Sequence, residues 1–185
     1  MVRRFDDRAR SYDTPERVAL AERVSRAIRE ELGGAAYETA IEYGCATGLV
    51  GLSLYDLFSM ITLVDPDEDM LSCVERKIIE NLIETADTLC LDLFEDDVEG
   101  LVADTVICCG SLGGAASPAD ALARLRSVVN EGGTLVVVDE PALVEALEGA
   151  CPAAGFPSTR SGVVAGTDSP DVGRSGSLSV LVARG

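Results

Sequence analysis

The chain has 185 residues, 47% of them hydrophobic, and a formal net charge of −17. Proteins that bind DNA or RNA are expected to carry a basic face, whereas this sequence contains a single lysine, Lys77, so neither nucleic acids nor anionic membranes are expected as partners. The apolar runs are too short for a membrane-spanning helix and the first residues lack the apolar segment of a signal peptide, which predicts a cytoplasmic protein with one domain over residues 1–185.

The first predicted element is a helix in the stretch DTPERVALAERVSRAIREEL. Asp13 and Glu16 have the spacing of a capping box, and Pro15 suits the first turn of a helix. The glycine pair at 33–34 is expected to end this helix, which gives an N-terminal lid and helical segment over residues 1–34. The residues at helical spacing that form its apolar face are Leu20, Val24, Ile28 and Leu32.

Short apolar runs then alternate with helical patterns. Nearly continuous apolar strands between helices indicate a parallel sheet covered on both faces. No helix fits in the connection GTDSPDVGRSG, so the last strand is expected to be antiparallel to its partner. The predicted fold is therefore α/β, with three layers and a doubly wound, mostly parallel seven-stranded sheet. The predicted strands are 40–43, 60–65, 87–92, 104–110, 134–140, 159–165 and 177–185, and the predicted helices between them are 49–58, 66–84, 117–129 and 141–156.

The six cysteines include no CxxC pair, and the sequence contains no histidine. A zinc site would have to collect dispersed thiols, so no metal is predicted. Cys90, Cys108 and Cys109 lie in apolar runs and are predicted to be small core residues. The cysteines are expected to be free thiols in a reducing compartment.

The stretch IEYGCATGLVG follows the first predicted strand. Gly44 and Gly48 would let the backbone approach a ligand closely, and ligands bind at the carboxyl ends of the strands in such sheets. Asp65 ends the second strand, where an acid can accept both hydroxyls of a ribose. Asp92 ends the third strand, where an acid can accept from an exocyclic amine. The glycine turn and the two acids together predict a nucleoside ligand.

The spacing of the glycines bears on which nucleoside binds. A dinucleotide-binding loop has the pattern GxGxxG and holds a pyrophosphate at a helix N-terminus. This loop has Gly44, Ala46 and Gly48, with Leu49 where the third glycine would fall. Glu42 precedes the loop, and an acid there would repel a pyrophosphate but attract a cation such as an amino group. A nucleoside with positive charge and no phosphate is therefore favoured over NAD.

These stretches resemble, in the right order, the motifs of class I S-adenosylmethionine-dependent methyltransferases of the small-molecule type. IEYGCATG is similar to the first motif, D/E-x-G-x-G-x-G, and LVDPDEDML is similar to the second, which carries the ribose-binding acid. LCLDLF resembles the adenine-side motif, whereas ADTVICCGSLG and NEGGTLVVVDE resemble the segments around strands four and five. FDDRARSYD resembles the N-terminal segment that folds over the cofactor. The resemblance implies a Rossmann-like methyltransferase fold with S-adenosylmethionine as cofactor.

The resemblance also implies roles for individual residues. Glu42 would orient the methionine amino group, and Asp65 would bind the ribose, with Pro66 at the edge of the adenine pocket. Asp92 would accept from the adenine amine, and Leu93 would pack on its ring. The cofactor-binding residues implied in this way are Tyr12, Glu42, Gly44, Cys45, Ala46, Gly48, Asp65, Pro66, Asp92, Leu93, Cys109 and Gly110.

The sequence departs from the family pattern at Ala46, which stands where the middle glycine is usual. Its methyl group is expected to be tolerated only if φ is negative. An aromatic tetrad such as NPPY and an insert after the fifth strand are both missing. The predicted activity is in-line methyl transfer to a small-molecule acceptor, with no catalytic base assigned. The alternatives are a cofactor-binding homologue without transferase activity, acting as a regulatory or partner subunit, and a nicotinamide-dependent oxidoreductase.

Plainer interpretations of single residues stay open at this stage, as does the oligomeric state, a homodimer included. Asp65 alone would suit a helix N-cap, and Asp92 lies among several acids that would equally suit a solvated surface. Asp139 and Glu140 end the fifth predicted strand and face the expected substrate side, but acids at strand ends often cap the next helix. Tyr12 would suit packing as well as the closing of a lid.

Overall fold

The computed structural model describes residue 9 and residues 11–33, 37–166 and 177–185. Most of the predicted lid segment that precedes Asp13 and most of the connection GTDSPDVGRSG lie outside the described residues. The helices that we number in the described ranges are α1 (Pro15–Leu32), α2 (Glu68–Glu80), α3 (Pro118–Arg126) and α4 (Pro141–Ala150). Its strands are β1 (Tyr37–Tyr43), β2 (Phe58–Asp65), β3 (Ala86–Cys90), β4 (Ala103–Cys109), β5 (Val129–Asp139), β6 (Ser158–Val164) and β7 (Leu178–Arg184).

These strands form one sheet in the order β3-β2-β1-β4-β5-β7-β6. Strands β1 to β5 pair in parallel, whereas β7 is antiparallel to both β5 and β6. This arrangement confirms the predicted doubly wound, mostly parallel sheet with an antiparallel last strand. The order of connections reverses between β1 and β4, so the carboxyl ends of these two strands form the switch point at which such sheets bind ligands.

Helix α1 begins with a different cap from the predicted one. Thr14, and not Asp13, is the N-cap residue, because its side chain accepts a hydrogen bond from the backbone N–H of Arg17 at 3.3 Å. Gly33 ends the helix in the left-handed conformation, as predicted. The predicted apolar face is also confirmed, since its buried residues include Val24, Ile28 and Leu32.

Helices cover both faces of the sheet. Helices α1 and α2 pack on one face, and α3 and α4 pack on the other. Side chains alternate along β1, so Ile41 and Tyr43 enter the core beneath α3 and α4, while Ala40 enters the core beneath α1. Glu42 shares the second face with Ala40, which places a buried carboxyl group on the α1 side of the sheet. No helix in the described ranges is both long and apolar enough to cross a membrane.

The helix predicted over residues 49–58 is wrong. After the glycine turn the chain forms two short 3₁₀ segments, Gly51–Ser53 and Tyr55–Leu57. Strand β2 begins earlier than predicted, at Phe58, so too few residues remain for several turns of α-helix. A glycine within this short stretch disfavours an α-helix further. The ligand-facing edge of β1 is therefore followed by a turn and not by the N-terminus of an α-helix.

The six cysteines are free thiols, but the core position predicted for Cys90 is wrong. Cys90 is exposed because it ends β3, which lies at the edge of the sheet. Cys108 is fully buried in the centre of the sheet, as predicted, and Cys109 is half-buried. Because β3 ends at Cys90, Asp92 lies two residues beyond the strand end at which it was predicted.

Candidate functional site

A cleft of about 430 Å³ lies beside helix α1, at the carboxyl ends of β1, β4 and β5. Helix α1 contributes one apolar wall through Leu20, Ala21 and Val24, and the ends of β5 and β7 contribute further lining. The cleft therefore occupies the switch point of the sheet, where the sequence analysis expected a ligand. The predicted cofactor-binding residues that line it are Tyr12, Glu42, Gly44, Cys45, Ala46, Cys109 and Gly110.

Glu42 lines this cleft with only 2% of its surface exposed. Its Oε2 atom accepts a hydrogen bond from the backbone N–H of Gly51 at 3.0 Å. Burial raises the pKa of Glu42 to about 8; the charge of Asp65 acts in the same direction, and the hydrogen bond from Gly51 acts against it. A Cβ atom on Gly51 would lie 2.3 Å from Oε2, so the buried carboxyl requires a glycine there. Gly51 was not among the predicted site residues, although it continues the run of glycines after β1.

Two glycines with positive φ shape the mouth of the cleft. Gly44 has a φ of 71°, and its N–H donates to the carbonyl of Val64 at 2.8 Å. A Cβ atom on Gly44 would lie 2.1 Å from the Cβ of Ser111, so this glycine lets the ends of β1 and β4 approach each other. Gly110 has a φ of 64°, and no described atom lies within 4 Å of the Cβ it lacks. Gly110 therefore leaves room in the cleft for a ligand.

Ala46 does not have the negative φ that its methyl group was expected to require. Its φ is 47°, in the left-handed region, where a residue with a Cβ atom is strained by roughly 1–2 kcal/mol. The N–H of Ala46 donates to Oδ2 of Asp65 at 2.8 Å, and Oδ1 of Asp65 accepts from the N–H of Asp67 at 2.9 Å. Asp65 thus fixes the strained loop to the end of β2.

The variant Ala46→Gly is expected to be more stable than the natural protein. Glycine adopts the left-handed region without the Cβ penalty, so we expect a gain of about 1 kcal/mol in the free energy of unfolding, which corresponds to about 2–4 °C in Tm. Ala146→Gly on the exposed side of α4 is the control, because Ala146 lies in the helix interior, where the same change should destabilise by about 1 kcal/mol. Thermal unfolding measures both, and equal signs for the two variants would contradict the strain at Ala46.

The other predicted residues lie outside the cleft lining. Gly48 is buried inside the turn, and Leu93 is 2% exposed within the core, so its placement gives no support to packing on an adenine ring. Oδ1 of Asp92 accepts from the backbone N–H of Phe94 at 2.9 Å and from the hydroxyl of Tyr43 at 3.3 Å. Pro66 is exposed. The roles of Asp65, Pro66, Asp92 and Leu93 on the adenine and ribose side stay predictions.

The N-terminal segment is fastened to the glycine turn by three residues that we call the Asp13 latch: Asp13, Thr47 and Lys77. Oδ2 of Asp13 pairs with Nζ of Lys77 at 2.7 Å, and its Oδ1 accepts from the hydroxyl of Thr47. Lys77 also donates to the backbone carbonyl of Thr47 at 2.7 Å. The neighbouring Tyr12 faces the cleft, with the guanidinium of Arg17 4.2 Å from the centre of its ring. This latch was not predicted from the sequence, although its lysine is the single one in the chain.

The variant Asp13→Asn is expected to loosen the latch. Losing one charge of a partly buried pair should cost about 1 kcal/mol of stability, and Lys77 should acylate faster with an amine-reactive reagent, measured on its peptide by mass spectrometry. Glu80→Gln is the matched control, because the Glu80–Arg76 pair is exposed and 3.9 Å apart. Unchanged labelling of Lys77 in Asp13→Asn would contradict the latch.

The chemistry of the lining favours a cationic ligand. Glu42, Asp139 and Glu140 supply three carboxyl groups to the cleft, whereas Arg17 is the one basic residue that lines it within the described chain. Burial raises the pKa of the Cys109 thiol well above its usual value, so this cysteine is a poor nucleophile. No group of metal-binding side chains in the described ranges is arranged to hold a metal ion. The cleft thus suits an organic cation with an amino group that faces Glu42.

Comparison with known proteins identifies the family. A family model described as a methyltransferase domain matches residues 41–135, which is just over half of the chain. A comparison with curated protein sequences gave no match.

Similar solved structures include magnesium protoporphyrin IX methyltransferase from Synechocystis PCC 6803 with bound S-adenosylmethionine (18% identity, 91% of this chain and 79% of the other, TM-score 0.68). They also include the N-methyltransferase NodS from Bradyrhizobium japonicum WM9 in complex with S-adenosylhomocysteine (16% identity, 97% and 92% coverage, TM-score 0.71). A third is an S-adenosylmethionine-dependent methyltransferase from Aquifex aeolicus (17% identity, 98% and 99% coverage, TM-score 0.69). These matches confirm the predicted fold, and the matching family model shows that the chain belongs to the methyltransferase domain family.

Proposed function

We propose that this methyltransferase domain uses S-adenosylmethionine to methylate a small-molecule acceptor. The observation that carries the proposal is the buried carboxyl group of Glu42, which faces the cleft at the switch point of the sheet. Within the described residues no arginine or lysine forms an ion pair with it. Gly51 donates one hydrogen bond to this group, but a buried carboxylate is costly without a cationic partner, and the amino group of a bound methionine moiety would supply that partner.

The other residues of the cleft fit the same ligand. Gly110 leaves open space beside Cys109, and Gly44 would bring bare main chain to the methionine portion. For the ribose we propose Asp65: each of its oxygens accepts one backbone N–H and keeps a second lone pair for a hydroxyl group. Pro66 and Asp92 would lie on the adenine side.

The chain's contribution to the reaction is mainly to position the reactants. Bound S-adenosylmethionine supplies a methyl group that is already activated by a positively charged sulfur. Glu42 would hold the amino group, the glycine turn would fix the main chain against the ligand, and the apolar wall of α1 would exclude water from the acceptor. Such positioning alone accounts for a large share of rate acceleration in displacements of this kind.

Isothermal titration calorimetry with S-adenosylmethionine, S-adenosylhomocysteine and NAD tests the cofactor. We expect the first two to bind and NAD to show no binding. Asp65→Ala should weaken both by about tenfold or more, through the lost hydrogen bonds to the ribose, and thermal unfolding of the variant checks that the loop it holds is still folded. Binding of NAD in place of the two methionine-derived compounds would contradict the proposal and favour an oxidoreductase.

Release of S-adenosylhomocysteine during turnover with a panel of acceptors tests the transfer. Cofactor binding without release would contradict the transferase and favour the alternative, a cofactor-binding subunit with a regulatory role. We also propose that residues 1–185 form a single domain that acts in the cytoplasm on free small molecules. The net charge of −17 supports small molecules over nucleic acids or anionic membranes as partners.

A further inference from the structure

The cleft contains a carboxyl group, that of Asp139, to which the cofactor proposal gives no role. Asp139 ends β5 next to the open space over Gly110, because the N–H of Gly110 donates to the carbonyl of Val138 at 3.0 Å. The side chain is half-buried, and its Oδ1 accepts from the N–H of Glu140 at 2.8 Å. No arginine or lysine in the described part of the chain forms an ion pair with it.

The electrostatics of the lining disfavour an anionic acceptor. Arg17 is exposed and lies over the ring of Tyr12, and it forms no ion pair with Asp139 within the described residues. With Glu42 occupied by the cofactor's amino group, the carboxyl group of Asp139 would face the acceptor, and a carboxylate attracts ligands of the opposite charge. The titratable and charged groups that line the cleft with Asp139 are Tyr12, Arg17, Glu42, Cys45, Cys109 and Glu140.

The lining of the cleft also includes an apolar wall. Leu20, Ala21 and Val24 of α1 face the cleft, together with Leu178 at the start of β7. An acceptor that fits both the carboxyl group of Asp139 and this apolar wall has a basic nitrogen and an apolar body.

We propose that the methyl acceptor is a small amine with an apolar body, and that Asp139 binds its nitrogen and removes its proton. This inference rests on the proposed function and names the substrate class of the same cleft. It makes Asp139 a catalytic residue, because its carboxylate would touch the reacting nitrogen.

The proton must leave before methylation, because an ammonium nitrogen has no free electron pair. Asp139 takes the proton on Oδ2 and passes it to water. The freed electron pair of the nitrogen then forms the bond to the methyl carbon, while the carbon–sulfur bond breaks and its electron pair stays on sulfur. Burial raises the pKa of Asp139 above the usual value for an aspartate, which makes it a better base for this step.

The test uses three probes of similar size and different charge: phenethylamine, 3-phenylpropionate and 4-ethylphenol. Calorimetry in the presence of S-adenosylhomocysteine measures their binding, and release of S-adenosylhomocysteine from S-adenosylmethionine measures their methylation. We expect the amine to bind and to be methylated in preference to the other two. Asp139→Asn should weaken binding of the amine by about tenfold or more and should remove the acid limb from the pH profile of kcat/KM.

The control variant is Glu145→Gln, which removes an exposed carboxyl group from the following helix and should behave like the natural protein. S-adenosylhomocysteine should bind Asp139→Asn and the natural protein equally well. A preference for the carboxylate or the phenol, unchanged amine binding in Asp139→Asn, or no binding of the amine would overturn the inference while the cofactor proposal stands. Failure of S-adenosylhomocysteine itself to bind would overturn the proposed function, and this inference with it.

Discussion

Glu42→Gln is expected to stabilise the fold at neutral pH and, at the same time, to weaken binding of S-adenosylmethionine. The natural carboxyl group has a pKa of about 8 in the folded protein, chiefly because it is buried, against an ordinary value of 4.5. The unfolded chain therefore loses this proton from about pH 4.5 upward, while the folded protein keeps it until about pH 8. The stability that this residue contributes is complete below pH 4.5, falls through this window and is lost above pH 8.

Glutamine has no proton to lose and can still accept the hydrogen bond from Gly51. We therefore expect Glu42→Gln to gain about 3 kcal/mol in the free energy of unfolding at pH 7 relative to the natural protein, and nothing below pH 4.5. Urea unfolding at a series of pH values measures this difference. Glu38→Gln is the matched control, since Glu38 lies on the same strand with an exposed side chain. A gain that does not depend on pH would refute the assignment to Glu42.

Binding should change in the opposite direction. Burial keeps Glu42 protonated at pH 7 in the free natural protein, and a bound cationic amino group would favour its carboxylate form. Glutamine cannot form that charged pair, so we expect the affinity of the variant for S-adenosylmethionine to fall by about tenfold or more. Calorimetry on the natural protein, Glu42→Gln and Glu38→Gln provides the comparison. A stabilised variant that binds the cofactor as well as the natural protein would mean that Glu42 has a structural role alone.

Gly44→Ala is expected to be the more damaging of two alanine substitutions at glycines of the same conformation. The new Cβ would lie 2.1 Å from the Cβ of Ser111, and φ at Gly44 is 71°. Overpacking and the left-handed strain together should cost about 3 kcal/mol or more. At Gly132 φ is 73° and no described atom lies within 4 Å of the missing Cβ, so Gly132→Ala should carry the conformational cost of roughly 1–2 kcal/mol alone.

The double variant Gly44→Ala with Ser111→Gly separates the two contributions. Removing the Ser111 side chain removes the clash but also the hydrogen bond of its hydroxyl to the carbonyl of Tyr43, at 2.8 Å. We expect the double variant to recover part of the lost stability, measured by urea unfolding of all four proteins. If Gly44→Ala and Gly132→Ala lose the same amount, the close approach of β1 and β4 is not what requires the glycine.

The predictable parts of this fold are those that depend on local patterns. The apolar alternation of strands and helices was enough to predict the sheet and its antiparallel last strand. The helix predicted over 117–129 forms as α3, with Ser117 as its N-cap, a residue type that favours this position. The helix over 49–58 failed because β2 starts at Phe58 and leaves too little chain. Cys90 failed because apolar neighbours in sequence do not reveal that a strand lies at the edge of the sheet.

The cleft was predictable to the extent that its residues follow strand ends. Glu42, Gly44 and Cys109 lie there because each ends or follows a parallel strand at the switch point. The Asp13 latch joins residues 34 and 64 positions apart, and no local pattern links them. Ala46 is held in the left-handed conformation by a hydrogen bond to Asp65, which is also distant in the sequence. The motif alone therefore could not show that φ at Ala46 is positive.

A crystal structure grown with S-adenosylhomocysteine would test the central claim most directly. We expect the compound in the cleft between α1 and the ends of β1 and β4, with its amino group in contact with Glu42 and its homocysteine portion beside Gly44 and Gly110. An empty cleft in that crystal, or a compound bound elsewhere on the protein, would contradict it.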